Sequence, residues 1–402
     1  MASNRNKGKS VWRRINAWLH LWLGLTSGLV VFVVCLTGVL FVFHDEVNNL
    51  VNRDVRFVYV PENPVKVSPD TILANFRNQY PEARVSLYTE YADPQKAVKM
   101  MCFTPNHKAN AMLGMGNAYA NPYTGEILKL DNTYGVFRFI AAIHMDLLLK
   151  TTGSYIVRIS TIIFLIELIS GLIWWWPKKW KKSIRDKSFK IKWNAKWKRL
   201  NIDLHSVLGF YSLPLAIVLT VTGLILSYKP VKDFFFRTFG GAGTEKTAVQ
   251  SLPAADSLKT ALSLDKLLQD YRSELDSYEQ LTIGIPSPRS GAVSIRMEYE
   301  SSMVTYRGKQ VYLDIYTGRP LENLSPEITK EAKMMNTNTA LHIGTWYGLP
   351  VKIITFIVCL ICTSLPITGF LIWYYRKFKK KKPSSPSRQI VKPAIASHKA
   401  SN

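Results

Sequence analysis

The chain has 402 residues, 47% of them hydrophobic, with 52 Lys/Arg against 28 Asp/Glu and a formal net charge of +24. That length allows two or three domains, and the charge raises the question of nucleic acid. Its distribution excludes one: five Lys/Arg lie in residues 1–14, eleven with one acid in Pro177–Asn201, nine with no acid after Tyr375, and the remainder is neutral overall. A nucleic-acid surface gathers its basic residues on one folded face, whereas these flank apolar runs.

Four apolar runs, Trp18–Phe43, Ile159–Trp176, Ser206–Tyr228 and Ile353–Tyr375, reach or approach the roughly 20 residues a helix needs to cross a bilayer. The basic segments between and beyond them follow the positive-inside pattern, which predicts a cytoplasmic N-terminus, middle loop and C-terminus. The first run ends at Phe43-His44-Asp45-Glu46 without a small-residue cleavage site, so it reads as an anchor rather than a cleaved signal. The chain order is then a basic tail (1–17), span (18–43), outer loop domain (44–135), interfacial helix and span (136–176), basic loop (177–201), span (202–228), second outer loop domain (229–340), span with a preceding histidine segment (341–375) and basic tail (376–402).

Each outer loop reads as a helix followed by a strand meander. Pro69–Gln79, introduced by Ser68, and Leu264–Asp276 are amphipathic, as helices that pack on a sheet should be. Alternating residues predict strands at Arg84–Tyr91, Ala97–Thr104 and Gly116–Ala120, then at Gln280–Pro286, Ala292–Tyr299 and Lys309–Ile315. The segments Asn121-Pro-Tyr-Thr-Gly-Glu126 and Asp314-Ile-Tyr-Thr-Gly-Arg319 predict matching turns with glycine at the special backbone position. Residues 12–180 and 197–380 thus read as two copies of one unit in the same orientation. The expected fold is a membrane four-helix bundle of two parallel repeats, related by a pseudo-two-fold along the membrane normal, with two α+β loop domains outside.

Histidines repeat on the same period. His20 and His205 are each followed 18 residues later by glycine, Gly38 and Gly223, and His144 and His342 are each followed 27 residues later by Gly171 and Gly369. The expected symmetry pairs His20 with His205 at the cytoplasmic side and His144 with His342 at the outer side. Paired axial imidazoles hold haem iron, and the expectation is two haems, one near each face. Gly24 and Gly209, one turn after His20 and His205, would admit a flat macrocycle. Eighteen residues are five turns, so Gly38 and Gly223, preceded by Thr37 and Thr222, lie on the same helix face, roughly 27 Å further on, about where an outer haem would sit. Interfacial histidines serving as polar anchors are the plain alternative, and zinc lacks acids or thiols at ligand spacing.

His44 is a further candidate ligand, with Lys229 at its repeat position. Glu167 lies inside the second span opposite Leu365 and reads either as a structural, protonated acid or as part of a proton or quinol path. His107 and His398 read as solvated. Cys359-x-x-Cys362 lies mid-span and reads as helix packing; Cys35 is also in a span, and Cys102 has no partner for a disulfide in its loop. Trp174–Trp176 and Trp373–Tyr375 read as an interfacial aromatic belt, and the lysine-rich loop as a contact for lipid headgroups.

The His-x3-Gly openings of spans one and three, the Thr-Gly pairs near their outer ends, the Tyr-Thr-Gly turns and the histidines before spans two and four resemble the PepSY-associated transmembrane proteins of bacteria over roughly residues 12–380. The resemblance implies PepSY-type domains in the periplasm and an inner-membrane location. Some members are di-haem ferric-siderophore reductases, which implies haem b ligands at His20, His205, His144 and His342, with His44 unassigned. Some relatives carry a flavin- and nicotinamide-binding domain, but no Gly-x-Gly-x-x-Gly after a strand occurs here. The electron donor would be a separate cytoplasmic reductase or quinol, and the acceptor a ferric siderophore or other ferric chelate. Two other readings stand beside this one: a non-enzymatic membrane module binding an envelope partner, and a haem or metal transporter.

Overall fold

The computed structural model describes residues 11–104, 114–177, 180–239, 262–269, 278–285, 292–299, 308–321 and 330–378. His107, His398 and the predicted helix beyond Gln269 lie outside them. In chain order the elements are α1 (Val11–Phe41), α2 (His44–Val51), α3 (Pro69–Gln79), β1 (Arg84–Tyr91), β2 (Val98–Phe103), β3 (Met115–Ala120), β4 (Ile127–Asp131), α4 (Thr133–Asp146) and α5 (Lys150–Trp175). They continue with α6 (Lys182–Phe189), α7 (Trp197–Asp203), a π-helical turn (Leu204–Leu208), α8 (Gly209–Ser227), α9 (Lys229–Thr238), α10 (Leu264–Gln269), β5 (Gln280–Gly284), β6 (Ala292–Glu298), β7 (Gly308–Asp314), α11 (Lys330–Ile343) and α12 (Leu349–Lys377).

Among the described residues, four helices are long and apolar enough to cross a membrane: Val11–Phe41, Lys150–Trp175, Trp197–Ser227 and Leu349–Lys377. Each extends beyond its apolar run, because polar residues such as Arg13 and Lys150 continue the backbone hydrogen bonding that hydropathy does not register. α1 packs against α5 and α12, and α8 packs against the same two, so α1 and α8 face each other across the bundle. Leu168, Leu213, Ala216, Val358 and Cys362 fill the middle, which makes the second thiol of Cys359-x-x-Cys362 a packing residue. On α5 the opposite face exposes Ile159, Ile162, Ile166, Ile169 and Ile173 at helical spacing. A stripe that long suits lipid rather than water.

The two long loops build one sheet. Its strand order is β4-β3-β2-β1-β5-β6-β7, all antiparallel, and the two loops meet where β1 pairs with β5, Thr89 opposite Thr282. The sequence predicts one domain per loop; the structure joins their strands, because β1 and β5 are each too short of partners to end a sheet safely and complete one another's edges. β4 has no counterpart in the sequence reading. α3 and α10 cover one face with Ile72, Leu73, Phe76, Leu264, Leu267 and Leu268 against Tyr88, Met100, Leu281, Ile295 and Met297. Phe76 is 1% exposed, so Phe76→Ala should cost the sheet region about 3–5 kcal/mol, seen as a lowered melting temperature with the helical bundle signal retained.

The paired turns form as predicted. Asn121 Oδ1 accepts from the Tyr123 and Thr124 amides at 2.9 and 3.4 Å, and Asp314 Oδ1 accepts from those of Tyr316 and Thr317, both at 2.9 Å. Gly125 and Gly318 take φ of +74° and +70°, a region where a side chain is strained. Cys102 lies inside β2, as the strand predicted over Ala97–Thr104 has it, and burial there pushes its thiol up to about 11.

Two features fix the sheet to the bundle. Asn52 Nδ2 donates to Asp131 Oδ2 at 3.0 Å, and Asn48 Nδ2 to the Tyr119 hydroxyl at 3.4 Å, tying α2 beneath the sheet. Lys352, near the start of α12 and 6% exposed, donates to both Glu46 carboxylate oxygens at 2.8 and 3.0 Å, so α2 and α12 are clamped to each other at this end. Above them, burial lowers the Lys99 amine from its ordinary value while nearby Asp45 opposes the shift.

Candidate functional site

The structure brings the four histidines into two facing pairs. At the end of the bundle that carries the basic segments, His20 on α1 and His205 in the π-helical turn have ring centres 6.4 Å apart and planes at 75°. At the sheet end, His144 on α4 and His342 on α11 are 6.2 Å apart with planes at 62°. Single π turns recur at functional sites; α1 runs through His20 without one, and nothing in the sequence marks the difference.

One hydrogen-bond pattern holds all four rings. His20 Nδ1 meets Ser170 Oγ at 2.9 Å, His205 Nδ1 meets Thr368 Oγ1 at 2.9 Å, and His144 and His342 meet Thr37 and Thr222 Oγ1, each at 3.1 Å. Every one of these hydroxyls already donates to a carbonyl one turn back in its own helix: Ser170 to Glu167, Thr368 to Ser364, Thr37 to Val33 and Thr222 to Val218. The hydroxyl oxygen is therefore left as acceptor, and Nδ1 is the nitrogen that carries the proton. Carbonyls of Val34 and Leu219, which can only accept, lie 2.9 and 3.1 Å from Nδ1 of His144 and His342 and require the same tautomer. Nε2 of each ring keeps its lone pair, and among the described residues it makes no hydrogen bond in these four. A second-shell bond at one nitrogen that frees the other is the arrangement of metal-ligating histidine.

A glycine follows each hydroxyl residue, and the imidazole lies on it. A Cβ at Gly223 would stand 2.9 Å from His342 Cε1; at Gly171, 3.2 Å from His20; at Gly369, 3.3 Å from His205; and at Gly38, 3.7 Å from His144. Gly38 and Gly223, expected five turns beyond His20 and His205, lie at the other end of the bundle and seat His144 and His342. The glycines beneath His20 and His205 are Gly171 and Gly369. Gly24 and Gly209 face Glu167 and Leu365 instead. Helical offset puts residues on one face, but five turns separate them, and the neighbouring helix supplies the contact.

Between α1, α5, α8 and α12 at the basic end lies a cavity of about 310 Å³ lined by His20, Gly24, Glu167, Gly171, His205 and Gly369. Glu167 Oε2 is 3.3 Å from His20 Nδ1, and Gly24 leaves the room for it. Its other oxygen, Oε1, is buried without a hydrogen bond among the described residues. His44 is not brought to the His144–His342 pair. Its Nδ1 lies 3.0 Å from the Phe41 carbonyl, its Nε2 3.2 Å from Asp45 Oδ1, and its ring stacks on Phe41. Both nitrogens are engaged, because α2 starts at His44 and turns the ring back onto α1.

His144 is placed by an unusual turn. Leu147, Leu148 and Lys150 take φ of 53°, 60° and 53° between α4 and α5, a conformation non-glycine residues rarely adopt and one that collects near functional sites. The corresponding link from α11 to α12 uses Gly344 and Gly348, with φ of 77° and 69°.

Sequence reasoning missed Ser170, Thr368 and the contact role of the glycines after them. The signal was present, since Ser170-Gly171 and Thr368-Gly369 repeat the hydroxyl-glycine pair of Thr37-Gly38 and Thr222-Gly223. It also missed Asn16 and Asn201, whose Nδ2 atoms donate to the carbonyls of Ser170 and Thr368 at 2.9 and 3.1 Å.

No curated protein matches the chain. The family described as the PepSY-associated TM region matches residues 17–376, a span that takes in both histidine pairs, the sheet and all but the outermost residues of the four crossing helices. The chain is a multi-pass membrane protein and belongs to the PepSY-associated transmembrane family.

Proposed function

We propose that this chain holds two b-type haems and carries electrons across the bacterial inner membrane to a ferric chelate, such as a ferric siderophore, outside. The observation that carries the reading is the pair of facing imidazoles at each end. Two imidazoles bound to one ion between them put ring centres roughly 6 Å apart, from about 2 Å for each metal–nitrogen bond and about 1 Å from nitrogen to ring centre. The separations of 6.4 and 6.2 Å fit. Among the described residues, no group of three or more His, Cys, Asp or Glu could hold a metal, and two imidazoles do not complete a tetrahedral zinc site. A haem supplies the four remaining donors itself. Cys359-x-x-Cys362 is followed by Thr363 rather than histidine, so covalent attachment has no motif here and the non-covalent b type follows.

Bound there, haem iron would supply one-electron reduction and oxidation. The chain's part is the rest. His20 and His205 are the ligands at the cytoplasmic side, and His144 with His342 those at the periplasmic side. Ser170, Thr368, Thr37 and Thr222 orient the rings, the glycines admit them, and the apolar helices keep water from the pathway. With the pseudo-two-fold repeat, the two halves contribute equivalent ligands, and the sheet reads as two PepSY-like loop units joined edge to edge. Electrons enter from a separate cytoplasmic reductase or quinol. One electron converts Fe(III) of the chelate to Fe(II), whose weaker affinity for hard oxygen donors frees it.

Purified protein should carry two haems per chain and show bis-histidine b-type bands in its reduced-minus-oxidised spectrum. Adding a ferric hydroxamate or catecholate to the reduced protein under anaerobic stopped flow should reoxidise it. Absence of the bands sinks electron transfer and leaves the binding-module reading; bands without reoxidation refute the substrate alone.

A further inference from the structure

Asn16, Asn201 and Asn338 each stand four residues before a histidine of the two pairs, His20, His205 and His342. That spacing places amide and imidazole one turn apart on one helix face. Each amide Nδ2 donates to the main-chain carbonyl of the residue whose hydroxyl holds the following histidine: Asn16 to Ser170 at 2.9 Å, Asn201 to Thr368 at 3.1 Å, and Asn338 to Thr222 at 3.2 Å. Asn201 and Asn338 are 1% and 3% exposed. A primary amide in an apolar bundle is costly unless its bonds are made, so its recurrence at one position relative to three ligands requires a reason. The amide and the imidazole together grip one residue of the facing helix at two points, its carbonyl and its hydroxyl. The hydroxyl then cannot slide along its helix axis relative to the ring, and the ring's rotation about its own bonds is fixed. Before His144 the corresponding residue is Ile140, which offers no donor.

We propose that Asn16, Asn201 and Asn338 are positioning residues that set the orientation of the histidine ligands, and that His144, lacking such an amide, is the ligand held least firmly. The consequence is an asymmetry between the ends: both ligands are clamped at the basic end and only one at the sheet end. The proposal rests on the haem reading above, and its test separates the two.

Electron paramagnetic resonance of the oxidised full-length protein reads the angle between axial imidazole planes, here 75° and 62°. Planes so far from parallel leave the iron's two π-type d orbitals nearly equal in energy and give strongly anisotropic low-spin signals. Each asparagine is replaced by leucine, which matches its size and removes the donor without leaving a buried polar group. Asn16→Leu and Asn201→Leu should shift the signal lost in His205→Ala and leave the other in place, with two haems retained. Asn338→Leu should shift the other signal and hasten release of that haem to excess apomyoglobin by about fivefold, the effect of one net hydrogen bond. Ile140→Asn should slow the same release in a protein otherwise unchanged. Two bound haems with signals and release rates unmoved in all four variants would overturn the proposal and leave the haem reading standing. An unsubstituted protein that binds no haem removes the reading first.

Discussion

On the haem reading proposed above, replacing His205 by alanine should remove one haem and leave its neighbour, taking the haem-to-protein ratio from two to one. The remaining bands should keep their bis-histidine form, because the second pair sits at the other end of the bundle on different helices, α4 and α11. His342→Ala should give the same ratio by losing the other haem, and the double variant should bind none. Methionine in place of His205 should retain a haem with altered ligation, since a thioether is a weaker but competent axial ligand. Pyridine haemochrome absorbance against protein mass checks the ratios. An unchanged ratio in both single variants would show that these imidazoles are polar anchors. Electron transfer through the protein should fall at least a hundredfold in either single variant, because half a pathway through about 30 Å of hydrocarbon does not conduct.

The second large effect concerns a glycine and has an unusual sign. Alanine in place of glycine inside a helix ordinarily favours the helix by about 1 kcal/mol. Gly223→Ala should nevertheless lose the haem held by His144 and His342, because the new methyl carbon would stand 2.9 Å from His342 Cε1. The ring cannot retreat without breaking its bonds to Thr222 and Leu219. The four glycines form a graded series. Gly171→Ala and Gly369→Ala, at 3.2 and 3.3 Å, should loosen the other haem without expelling it, and Gly38→Ala, at 3.7 Å, should keep both. Haem content after gel filtration, together with a helical signal equal to or above the parent's, reads the series. Equal loss at all four positions, or at none, would show that contact with the ring is not what these glycines provide.

Much of the site was legible before any coordinates. The interval from His20 to Gly38 recurs from His205 to Gly223, and that from His144 to Gly171 recurs from His342 to Gly369. Each of these glycines receives the histidine of a different helix, a contact that no interval along the chain reveals. His44 illustrates the same limit. Its position at the end of an apolar run made it resemble a ligand, but the start of α2 turns it onto Phe41 and Asp45. The sheet was legible strand by strand, with Arg84–Tyr91 recovered to the residue. The pairing of β1 with β5 was not, since their hydrogen-bonded partners are almost two hundred residues apart.

Hydropathy, charge and period belong to the chain itself: they determined the four spans, the basic segments at one end, the repeated histidines and the paired Tyr-Thr-Gly turns. These are properties of local composition, and burial against lipid or water acts on each segment by itself. Only the tertiary structure decided which nitrogen of each histidine is free, which hydroxyl holds it, which glycine it lies on, and that two loops share one sheet. Those features arise from contacts between helices and strands distant in sequence, where a hydrogen bond of about 3 Å depends on the rotation and rise of both partners at once.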